Sequence, residues 1–134
     1  MGLDVDNGLF GNFHLNWAGT SWFRQWCAEH RLPEPFIGWR GFNDGDPCRL
    51  GKRRKHTALA AKWCEALDER CPELAKLGQR LLTDRPEDLH EYLYPHRRED
   101  DKLLEQEEWE RRAVAAWYAI LRHGIAKGDI LYYW

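Results

Sequence analysis

The sequence predicts an α+β fold, mostly helical, with four to five helices and a small sheet made from an N-terminal β-hairpin and a C-terminal strand. Three observations predict it. Asp6-Asn7-Gly8 separates two short apolar segments, and Asn-Gly takes the positive φ angles of a tight hairpin turn. Between Pro33 and Gly124, apolar residues recur at helical spacing, punctuated by prolines and N-cap residues. The chain ends in Ile130-Leu131-Tyr132-Tyr133-Trp134, residues of strand character that are too apolar to dangle.

The elements follow in order. Leu3-Asp4-Val5 is read as a first strand and residues 9–16 as a second. In the second, Gly11, Phe13 and Leu15 alternate with Asn12, His14 and Asn16, so one face is apolar and the other is a row of two amides and an imidazole. Thr20-Ser21 caps a helix reaching about Arg31, with Trp22, Phe23, Trp26 and Cys27 as a wide apolar stripe. Pro33 and Pro35 stop it. Thr57 caps the next helix, with Leu59, Trp63, Ala66 and Leu67 on one face. Pro72 opens a third, carrying Leu74, Leu77, Leu81 and Leu82. Asp84 with Glu87 has the capping-box spacing for a short helix to about Tyr94. The last helix is expected from about Arg98 to Gly124, buried along Trp109, Ala113, Ala116, Trp117 and Ile120. Its first half, through Glu105 to Glu110, is polar almost all round. The C-terminal strand is expected to join the hairpin, with the helices covering one face of the sheet.

With 134 residues and no internal repeat or linker, residues 1–134 read as a single domain. Eight tryptophans against one methionine call for an aromatic core. The net charge of −2 sets no global field. Its distribution is uneven: residues 49–62 carry six lysines and arginines and no acid, whereas residues 63–112 carry fifteen acids against nine bases. No apolar run approaches the roughly 20 residues of a membrane span, so no membrane partner is expected. The opening residues lack the pattern of a secretory signal. A cytoplasmic location is therefore expected, with Cys27, Cys48, Cys64 and Cys71 reduced.

The most informative stretch is 36–56, with four glycines, one proline and a dense basic run. Long loops of this kind are commonly functional. Lys52, Arg53, Arg54 and Lys55 supply the cations that phosphates attract. Trp39 and Phe42 supply rings that stack on bases, and Arg40 and Asn43 lie beside them. The run leads into the helix start at Thr57, where free N–H groups favour anions. The expected function is thus a small binding or interaction protein that takes a polyanion, nucleic acid or phosphate-bearing ligand through residues 39–56. The bland alternative is a solvated loop neutralised by the later acids.

Two other classes stand beside it. Asp44 and Asp46 on a glycine-bent loop suit a divalent cation, although such residues are also ordinary turn formers. With His14 as acid/base and Cys27 or Ser21 as nucleophile, they would make a small hydrolase or transferase. Cys27, His30, Cys48 and His56 form a weaker set for zinc, without the usual ligand spacing. The third class is a protein-interaction module using the acidic start of the last helix. Whether the chain is an enzyme is open at this level.

Overall fold

In the computed structural model, nine successive residues from Ala113 to Leu121 are buried. A helix normally hides one stripe; one hidden on all sides is the central element of its body. The structure describes the backbone of residues 2–33, 35, 48–49, 55–86, 89–93, 106–128 and 130–133, with side chains chiefly in the helices. The helices are α1 (Trp17–Glu29), α2 (Lys55–Arg70), α3 (Pro72–Thr83), α4 (Leu89–Leu93) and α5 (Gln106–Lys127).

Helix α5 is central because of its composition. Ala113, Ala115, Ala116 and Ala119 are strong helix formers with almost no side chain, so neighbouring backbones approach closely. Trp117, Tyr118, Ile120 and Leu121 fill the remaining space. Helices α2 and α3 flank α5. The Phe23 ring of α1 meets Trp117 edge-on at 5.2 Å and Trp63 of α2 at 5.9 Å. The Trp63 indole N–H donates to Cys27 Sγ at 3.4 Å, giving that buried donor a partner. Short helix α4 is held by Arg112, which donates to the Tyr92 carbonyl at 2.8 Å and lies over the Tyr92 ring.

Helix ends explain the order of elements. At the end of α1, Leu32 N–H bonds to the Cys27 carbonyl and Arg31 N–H to the Ala28 carbonyl. That is a Schellman motif, with Arg31 in the left-handed position at φ 54°. Leu32 is then buried beside the last turn of α1. Pro72 begins α3 directly after Cys71, so α2 and α3 meet in a tight corner. Helix α5 runs past Gly124 and stops at Gly128, where φ is 74°. The expected stop at Gly124 is wrong because Ile125 packs against the core and keeps the last turn helical.

The backbone of β1 (Gly2–Asn7) pairs antiparallel with β2 (Gly11–Asn16), with Val5 opposite Phe13. The turn falls at residues 8–10 rather than 6–8, because Leu9 is buried and its carbonyl accepts from Arg85. Strand β4 (Ile130–Tyr133) pairs with β1, and β3 (Cys48–Arg49) pairs with β4. These are statements about backbone alone.

The α+β class expected from the sequence is nevertheless corrected. The body whose packing is described is helical, with no sheet in it. Every described buried hydrophobic residue lies in a helix except Leu9 and Leu32. The physical reason is α5: once one helix is hidden all round, the other helices close over it. Helix starts shift as well. Helix α1 begins at Trp17, directly after Asn16, and α2 at Lys55 rather than at the expected caps.

On α3 the buried face is Ala75, Gly78 and Leu81, with Leu74, Leu77 and Leu82 only partly covered. A Cβ at Gly78 would collide with Tyr118 Cδ1 and lie 3.0 Å from Tyr118 Cβ. Tyr118 has no room to retreat. Its hydroxyl donates to Asp68 Oδ1 at 2.7 Å and accepts from Gln79 at 2.9 Å, while Arg122 Nη2 pairs with Asp68 Oδ2 at 2.6 Å. Gly78→Ala is therefore expected to destabilise. Overpacking costs about 1–3 kcal/mol, against a gain of about 1 kcal/mol from alanine in a helix interior. A urea midpoint equal to or above wild type would disprove this contact.

Candidate functional site

Most residues singled out from the sequence lie outside the described residues. Trp39, Arg40, Phe42, Asn43, Asp44, Asp46, Lys52, Arg53 and Arg54 are in this group. For Lys55 the backbone is described, in the first turn of α2. His14 is described as a backbone position in β2 opposite Asp4, and Cys48 as one opposite Leu131.

Among the sequence candidates for chemistry, His56 lies in the first turn of α2, and Cys27 and His30 are placed apart from each other. Cys27 is 2% exposed, and burial pushes its thiol up to about 12. A thiol so held is a poor nucleophile and a poor metal ligand at neutral pH. Cys64 is 0% exposed and is likewise raised to about 12 by burial. His30, three residues after Cys27, does not join it. The helix ends at Glu29, and His30 is the C-cap residue inside the Schellman turn, its backbone N–H bonded to the Trp26 carbonyl. Its ring stacks on Trp26 at 4.1 Å and 25°. Its Nδ1–H donates to the Trp26 carbonyl at 2.9 Å, since a carbonyl only accepts. Among the described residues no group of three or more His, Cys, Asp or Glu is gathered for a metal ion.

What the structure does build is a groove of about 1010 Å³ where four helix ends converge. The last two turns of α1 give Trp22, Gln25, Trp26 and Glu29, followed by His30. The α2–α3 corner gives Arg70, Cys71, Pro72, Glu73 and Leu74, and the first turns of α5 give Gln106, Glu107, Glu110 and Arg111. Trp22 is half-buried, with Trp109 edge-on at 5.1 Å and Trp26 tilted at 6.4 Å. The aromatic stripe of α1 is thus wider than its core contact. One edge, Phe23 and Cys27, enters the body, and the other floors the groove.

The rim is tied by short-range bonds. Gln25 donates to Glu29 at 3.1 Å and Gln106 to Glu110 at 3.4 Å. Arg70 Nη1 donates across the corner to the His30 carbonyl at 3.3 Å, and Arg111 lies 3.8 Å from Glu108. An open hollow of this size, with indoles below and mixed charge above, has the chemistry of a binding surface. From this site, sequence reading singled out the start of α5 and, as a zinc candidate, His30. The other walls are helix ends brought together by the α2–α3 corner. The available signal was the excess width of the α1 stripe.

Compared with known protein families, curated proteins and solved structures, the chain finds no match in any of the three. No helix among the described residues is long and apolar enough to cross a membrane.

The two buried thiols generate a prediction. Their raised pKa values make their contribution to stability complete below pH 9.0, to be lost as the pH rises through about 12. At mildly alkaline pH, iodoacetamide should therefore modify the partly exposed Cys71 of the folded protein well before Cys27 or Cys64. Denaturant should release the latter two. Peptide mapping that finds Cys27 modified as fast as Cys71 in native protein would contradict the buried placement.

Proposed function

We propose that the protein is a binding module that holds a segment of a partner protein in the groove between α1, the α2–α3 corner and the start of α5. One observation carries this reading. Half-buried Trp22 and the outer edge of buried Trp26 line a hollow of about 1010 Å³. Tryptophan left partly exposed beside apolar Leu74 and Pro72 is the residue type that anchors partners at interfaces. The hollow is at the upper end of small-molecule sites, which run to roughly 1,000 Å³, and its open form suits several side chains of a chain segment. The start of α5, with its acids, forms one wall, so this reading develops the interaction-module expectation.

The test uses an uncharged amphipathic peptide of leucine, alanine and glutamine as probe. Its addition should shift the indole N–H resonances of Trp22 and Trp26 and leave those of buried Trp63 and Trp117 in place. Gln25→Trp, an exposed position on the groove wall, should weaken the effect by roughly tenfold, about 1.4 kcal/mol. Absence of shifts, or shifts confined to indoles outside the groove, would remove the reading.

A second reading is phosphate binding by the basic run at Arg49, Lys52, Arg53, Arg54 and Lys55. It draws support from the start of α2 at Lys55 with no acid in its first turn, so the helix end carries no carboxylate to compete with an anion. If four phosphates of duplex DNA are contacted, log affinity falls with log salt at a slope of about −3.6. Lys52→Ala with Arg53→Ala should flatten that slope, and an unchanged slope would end this reading.

A further inference from the structure

Resting on the groove reading above, we propose that the groove selects a cationic partner segment: lysine or arginine side chains on the rim and an apolar side chain on the Trp22–Trp26 floor. The argument is electrostatic. Four helix ends meet here, the C-termini of α1 and α2 and the N-termini of α3 and α5. Two ends carry partial negative and two partial positive charge of about half a unit each, so the helix dipoles offset one another. Side-chain charge then decides.

The groove is lined by Glu29, Glu73, Glu107 and Glu110 against Arg70 and Arg111, an excess of two acids with histidine neutral. The way these groups are tied widens that excess. Glu29 and Glu110 accept from the neutral amides of Gln25 and Gln106, which leaves their charge in place. Arg111 is partly offset by Glu108, whereas Arg70, bonded to the neutral His30 carbonyl, keeps its charge. Glu73 and Glu107, in the first turns of α3 and α5, form no ion pair among the described residues. An anionic segment would meet the uncompensated carboxylates instead.

The experiment compares two probe peptides with the same leucine and alanine positions, one carrying lysines and the other glutamates. Trp22 and Trp26 resonances are followed at low and high salt. The lysine probe is expected to bind at least roughly tenfold tighter at low salt and to lose that advantage as salt screens the rim. Glu73→Lys with Glu107→Lys should abolish the preference, whereas Glu65→Lys, exposed on α2 and away from the groove, should leave it. Both rim positions are exposed, and a melt of each variant checks that it folds. Equal binding of the two probes, or tighter binding of the glutamate probe, overturns cationic selection while leaving the groove reading intact. If neither probe nor the uncharged peptide moves the groove indoles, both readings fall.

Discussion

The all-round burial of α5 between Ala113 and Leu121 is the constraint on which the rest of the structure depends. A helix hidden on every side gives up its contact with water, so each neighbour must supply a complementary surface. The alanines set how close those neighbours come, and the large side chains between them set where. Phe23 meets Trp117 of α5 edge to face and lies tilted against Trp63. That geometry uses the ring quadrupoles as well as the buried area. The polar atoms carried inside are accommodated by unusual partners: an indole N–H on a thiol, and a phenol between a carboxylate and an amide.

The same constraint explains why the groove lies where it does. Helix α5 changes character along its length. Its first turn, Gln106 to Trp109, is polar and partly exposed, and from Ala113 it is buried. The boundary between the two regimes is where α1 and the α2–α3 corner leave it, and the hollow opens there. The apolar edge of Trp22 is therefore a consequence of where the core ends. It remains available to a guest because no described helix continues over it.

Much of the local structure was legible in the sequence. Pro72 marked the start of α3 correctly, because a proline at the first helical position loses nothing. Cys64 read correctly as a small buried hydrophobe between Trp63 and Leu67. The Asn-Gly signal led to the right hairpin partners, displaced by two residues through the packing of Leu9. What could not be read was tertiary in origin. Gly124 looks like a helix stop until Ile125 is seen to be packed. Leu74 and Leu77 look like core until Gly78 is seen to be the point of contact with Tyr118. The fold class failed for a related reason: short strand-like segments at the chain ends have the same pattern whether or not they build the core. The candidate loop from Trp39 to Lys55 was the most conspicuous feature of the sequence, yet the groove is assembled from residues that are individually ordinary and far apart in the chain.

The tight seat of Gly78 against Tyr118 has one last implication. A neighbouring α3 residue cannot take its place, because every other position on that face carries a Cβ, and a slip of one full turn, about 5.4 Å, would part Tyr118 from Gln79. The two walls of the groove on α3 and α5 are thus carried on a frame that resists shear. Rim residues can then be substituted without altering the spacing between the walls.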